Sequence, residues 1–125
     1  MTDPTGVFDD PKYAALALAN RQQYIEAGPF PHIGLDNFLD EDLVKNLGRA
    51  FPENGKGEGW VPCDKEETRK HYIQDESYLP SVLRLMFREF NSPKFLLFME
   101  TLTGIEGLIP DPYLIGGGAH VSGPG

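Results

Sequence analysis

The sequence predicts an α+β chain in which helices fill the first 104 residues and strand-forming segments close it. Two apolar-periodic segments begin at acidic caps and end at Gly28-Pro29 and at Pro52. A second pair of helical segments meets at Ser92-Pro93 and stops at Gly104. From Ile105 to Gly125 prolines, glycines and short apolar runs replace the helical period.

In order along the chain, Asp10-Pro11 supplies an N-cap and a first-turn proline for a helix over Lys12 to Ala27. Tyr13, Leu16, Ala17 and Tyr24 fall on one face, with Asn20 as a polar break, so this helix is expected to lie on a larger body. Phe30 to Leu35 is apolar and fenced by prolines, which predicts a short strand whose early part sits at an edge, because Pro31 has no N–H to donate. Asp40 then caps a second helix, with Glu41 and Asp42 at the positive end of its dipole. Leu39, Leu43, Leu47 and Phe51 form its stripe, and Pro52 ends it.

Glu53 to Ser77 is polar and glycine-bearing, with Trp60, Val61, Tyr72 and Ile73 as its large apolar anchors, and predicts a long loop. Pro80 opens a third helix with Leu79, Leu83, Met86, Phe87 and Phe90 in one stripe. Ser92-Pro93 starts a fourth through Phe95, Phe98, Met99 and Leu102, and the two are expected to form a helical hairpin. Beyond it, Tyr113-Leu114-Ile115, then Gly116-Gly117-Gly118, then Ala119-His120-Val121-Ser122 read as strand, glycine bend, strand. The division expected is therefore a helical part over 1–104, with one short strand and a long polar loop, and a strand part over 105–125.

Composition excludes some classes of function. Lys+Arg 11 against Asp+Glu 19 gives a net charge of -8, a field that repels phosphate backbones and anionic membrane surfaces, so neither nucleic acid nor membrane is an expected partner. The single Cys63 cannot form an internal disulfide, the N-terminus carries no basic and apolar leader pattern, and the longest apolar run, Ala14 to Ala19, falls short of the roughly 18 residues of a span. The expected location is cytoplasmic.

The residues with chemical potential are sparse. His32, Cys63, His71 and His120 are too far apart in sequence for a local metal motif, so no metal ligand is assigned. A zinc site using Cys63 and His71 is the weaker alternative to an incidental pair in a polar loop. His120 and Ser122 are two apart in an expected strand and so share a face, a pocket wall more than a hydrolytic pair, since no G-x-S-x-G elbow is present. The glycine triplet lacks the Lys and Ser/Thr of a phosphate loop. Asp9-Asp10 and Asp40-Glu41-Asp42 are accounted for by helix starts, and Asp111 between two prolines by a turn. No catalytic residue is assigned.

Five stretches in this order carry a resemblance: Gly28-Pro29-Phe30-Pro31-His32-Ile33 leading into Leu35-Asp36-Asn37-Phe38-Leu39; Leu79-Pro80; Phe90-Asn91-Ser92-Pro93-Lys94-Phe95-Leu96; Leu102-Thr103-Gly104-Ile105; and Ile109-Pro110-Asp111-Pro112-Tyr113-Leu114-Ile115-Gly116-Gly117-Gly118-Ala119-His120. Residues 28–125 resemble the N-terminal half of the prolyl-4-hydroxylase-like 2-oxoglutarate oxygenases. The resemblance implies helices buttressing the first strands of an incomplete double-stranded β-helix, or jelly roll. Its cofactors would be iron(II) and the small-molecule cosubstrate 2-oxoglutarate, and its chemistry hydroxylation of an unactivated C–H bond.

In that family an H-x-D pair follows the glycine-rich strand, and a second His comes much later. Here the residues two beyond each His are Gly34, Ile73 and Ser122, so the motif does not occur, and the chain is expected to be inactive alone. His120 and Ser122 are expected to face the interior of the completed roll and to seat 2-oxoglutarate without binding iron. The competing arrangement turns both outward and puts Ala119 and Val121 in the core. The alternative function is a small non-catalytic α+β interaction module presenting Phe87, Phe90, Phe95 and Phe98.

Overall fold

The computed structural model describes residues 3–52, 59–62, 70–115 and 117–122. Four helices, α1 (Lys12–Glu26), α2 (Glu41–Ala50), α3 (Ser81–Phe90) and α4 (Pro93–Thr103), accompany three strands, β1 (Val61–Pro62), β2 (Lys70–Ile73) and β3 (Ala119–Ser122). The architecture is α+β. The strands form one antiparallel sheet in the order β1-β2-β3, with Val61 opposite Tyr72 and Tyr72 opposite His120.

Local chemistry sets the helix ends. The Asp10 carboxylate accepts the Lys12 N–H at 2.9 Å, relieving one of the donors left open at the start of α1. At α4 the Ser92 hydroxyl accepts the Phe95 N–H at 3.3 Å. Gly104, at φ 78, closes the same helix in the left-handed conformation, its N–H reaching the Glu100 carbonyl. α1 buries Tyr13 and Ala17 but leaves Leu18 67% exposed, so it lies on the body and packs mainly along α4. That pairing replaces the expected α3–α4 hairpin as the main helix contact. A run from Phe95 to Leu102 rich in apolar residues can face two ways, and α1 takes its widest face.

The first core cluster joins Phe8, Tyr13, Ala17, Leu43, Met86, Phe98 and Leu102. Phe8, in a short 3-10 turn ahead of α1, is its hub: its ring lies 5.0 Å from Tyr13, edge to face, and 4.6 Å from Phe95. Phe38 joins through Phe98 at 5.3 Å. Such pairs contribute about 0.5–1.5 kcal/mol each beyond the area they bury. Phe95 and Phe98 are thereby committed to the interior and Phe90 sits at its margin.

Three sequence expectations about strands are corrected. Phe30 to Leu35 is not a strand: no strand lies beside it among the described residues, Phe30 is 63% exposed, and Ile33 and Leu35 reach the helical cluster from irregular backbone. The stretch expected as one long loop after Pro52 contains β1 and β2, while 53–58 and 63–69 lie outside the described residues. Tyr113-Leu114-Ile115 forms a turn instead of a strand, with the Leu114 N–H bonded to the Asp111 carbonyl at 3.1 Å. Gly116, part of the expected glycine bend, is outside the described residues.

The Tyr13 hydroxyl donates to the Phe38 carbonyl at 2.6 Å, tying α1 to the segment that precedes α2. Burial, opposed by Lys12 and aided by the Asp40 and Asp10 carboxylates, raises the phenol pKa above its usual 10.0. A raised folded-state pKa means that this stabilisation is complete below the unfolded value and is lost as pH rises through the folded one. Tyr13→Phe should cost about 1–2 kcal/mol by leaving the Phe38 carbonyl without its donor. It should also remove part of the alkaline loss of stability above pH ~10; urea titrations of both proteins at neutral and alkaline pH check this.

Candidate functional site

The sheet has two unlike faces because successive side chains of a strand alternate. Ile73 and Ala119, opposite one another on β2 and β3, are 0% and 3% exposed. They pack with Leu79 and Leu114, and with the partly buried Trp60 and Phe87, in a second core cluster. Phe87 belongs to α3, so this face is the one turned to the helices.

The other face carries Tyr72, His120, Ser122 and Val61. The Tyr72 and His120 rings are 6.0 Å apart at 31°, as directly opposed residues on one face should be. Val61 flanks Tyr72 from β1 and is 43% exposed, and Ser122 is opposite Lys70. The face thus offers an imidazole, a hydroxyl and a phenol over an apolar flank. These are hydrogen-bonding groups suited to a polar small molecule once another layer covers them.

His120 and Ser122 share a face, but they do not point inward among the described residues. Both are exposed, while Ala119 is buried and Val121 half-buried. The cause is that, among the described residues, only one side of the sheet is packed. α3 and Leu114 supply the apolar contacts, and the small or aliphatic member of each alternating pair turns toward them.

The remaining candidates are dispersed. His71 is on the helix-facing side, and its buried Nδ1, like Trp60 Nε1, has no hydrogen-bond partner among the described residues. His32 is exposed, with Nδ1 2.8 Å from the Phe30 carbonyl. Cys63, the other half of the weaker zinc alternative, lies outside the described residues. Among those described, no three His, Cys, Asp or Glu side chains come together as a metal-binding group. Asp111 is a turn former, its carboxylate accepting the Ile115 N–H at 2.8 Å. Asp40 and Glu41 start α2 and make exposed ion pairs with Lys12 at 3.6 Å and Lys45 at 2.8 Å, contacts worth little individually. No helix among the described residues is long and apolar enough to cross a membrane.

Sequence reasoning missed Tyr72 as a site residue because β2 has four residues, too few for alternation to stand out from a polar segment. The signal was present as Tyr72-Ile73, two adjacent anchors that must face opposite ways in a strand. Searches of family models, curated proteins and solved structures return no match to this chain.

One backbone contact positions the whole face. At Gly118, φ 151, a Cβ would stand 2.5 Å from the Ile73 carbonyl oxygen, so only glycine lets β3 enter against β2. Gly118→Ala should destabilise the chain by about 1–3 kcal/mol and strip amide protection from the β2–β3 pairing. Gly117→Ala, whose Cβ would meet nothing closer than the Asp111 carboxylate at 3.8 Å, should leave both almost unchanged.

Proposed function

We propose that this chain is the front part of an iron(II)- and 2-oxoglutarate-dependent oxygenase of the prolyl-4-hydroxylase-like kind, its sheet being the beginning of a jelly roll. The observation that carries the reading is the one-sided sheet. Its helix-packed face buries Ile73 and Ala119, while Tyr72, His120 and Ser122 stand on the opposite face. In a roll that opposite face is covered by a second sheet and becomes the inner wall, so side chains exposed here turn inward there without any change of register. In this reading His120 and Ser122, on the strand that follows the helices in the order of the resemblance, donate to and accept from 2-oxoglutarate, and Tyr72 on β2 lies beside it.

The residues present do not fit the iron. The chain has no H-x-D, and the described residues hold no cluster of three ligating side chains. No catalytic step is therefore derived, and the role of the chain is limited to buttressing and to one pocket wall. The hydroxylation chemistry belongs to the cofactor set of the whole enzyme.

Two measurements test this. The 125-residue chain with iron(II) should form no succinate from 2-oxoglutarate, and turnover by it would sink the reading. The gene's reading frame should encode H-x-D within about 20 residues after Gly125, on an adjoining strand, and a stop codon there would count against the proposal. In that longer protein His120→Ala should raise the apparent KM for 2-oxoglutarate severalfold with iron affinity unchanged. Loss of iron instead would make His120 a ligand, and no effect on either would remove it from the site.

A further inference from the structure

The strap between α4 and β3 sets large apolar side chains in water. Ile109, Tyr113 and Ile115 are 85%, 83% and 81% exposed, the three most exposed large apolar side chains among the described residues. Between them the buried Leu114 is held at φ 54, a left-handed conformation that costs a branched residue about 1–2 kcal/mol. The turn is pinned from several sides. Asn91 at the end of α3 accepts the Asp111 N–H, Asp111 caps Ile115, and Leu114 fills a slot against Ile73 and Leu79. The pinning fixes Tyr113 and Ile115 outward, a placement that burial of apolar area alone opposes.

Beneath the strap is a cavity of about 630 Å³, within the size range of binding pockets. Phe87, Pro110, Pro112 and Tyr113 give it apolar and aromatic walls, and Asp75 and Glu76 lie on its rim. The Ser77 side chain and N–H hold the Asp75 carboxyl below its usual range, so it is charged at neutral pH. The two segments that bound the cavity, 74–79 and 105–115, carry Asp75, Glu76, Glu106 and Asp111 and no Lys, Arg or His. Arg88 is the one basic side chain among the described lining residues, and it is engaged with Glu76 at 3.3 Å.

We infer that the strap and this cavity form a docking site for a cationic, apolar-bearing segment of a partner protein. A Lys or Arg stem would lie on Phe87, Pro112 and Tyr113, with the charged head reaching Asp75 and competing with Arg88 for Glu76; the ring faces add a cation–π contribution. The net charge of -8 steers such a partner from a distance. The inference does not depend on the oxygenase reading, because it uses neither the open sheet face nor any cofactor.

The test uses the 125-residue chain, isotope-labelled, titrated with an octapeptide alternating lysine and leucine and with its glutamate–leucine counterpart. The lysine peptide should shift amides of Gln74 to Glu76, Phe87 to Asn91 and Asp111 to Leu114, and should weaken steeply with salt. Tyr113→Ser and the double variant Asp75→Asn with Glu76→Gln alter exposed side chains, and each should reduce affinity tenfold or more while leaving the thermal unfolding midpoint in place. Shifts elsewhere, no saturable binding, or equal binding of the glutamate peptide would overturn the inference. So would a longer form of the protein in which the strap no longer responds, since its occupant would then be the chain itself.

Discussion

Everything else in the structure depends on α3 having two apolar sides. Met86 enters the helical cluster with Phe8, Tyr13 and Phe98, while its neighbour Phe87 packs against the sheet cluster of Ile73, Leu79, Leu114 and Ala119. Neighbouring residues on a helix point about 100° apart, so one helix of ten residues can serve both cores only if adjacent positions are both large and apolar. The sheet is too small to be stable by itself, with strands of two and four residues, and one of its faces is covered by Phe87 of α3 together with Leu79 and Leu114.

That dependence fixes what the sheet can offer. Once Ile73 and Ala119 are drawn to α3, the period of two leaves Tyr72, His120 and Ser122 no choice of side. The polar face is thus a by-product of apolar packing on the reverse. Its composition can change without loss of fold, whereas the reverse face, with Gly118 against the Ile73 carbonyl, cannot. Function is free to vary on one side of a surface whose other side is committed to stability.

The helices were legible in the sequence because their signals are local: Asp10, Ser92 and Gly104 act within a turn of themselves, and each helix carries a stripe long enough to count. The spacing of His120 and Ser122 was legible for the same reason, since a shared face follows from position alone. Their direction was not, because it depends on which side α3 occupies, a fact about residues more than thirty positions away. β1 and β2 were hidden by brevity, and Phe30 to Leu35 misled because an apolar run fenced by prolines describes an irregular segment touching the core at Ile33 and Leu35 as well as a strand. Phe8 stands outside any periodic segment, and only the packed structure reveals it as the hub of the aromatic cluster.

The strap also has consequences for stability. Leu114 bears the cost of a left-handed backbone, yet its side chain is 4% exposed and closes the second cluster. Glycine at this position would relieve the backbone but forfeit the burial, worth about 1.5–3 kcal/mol for a leucine, which exceeds the strain. A left-handed leucine is therefore the more stable choice, provided that something gains from the outward Tyr113 and Ile115 it enforces. A polar pair at those two positions would have satisfied the fold equally well, since neither side chain contributes to a core cluster. Retaining two large apolar groups in water at the mouth of a cavity runs against solubility, and a binding surface is the physical circumstance in which that cost is recovered.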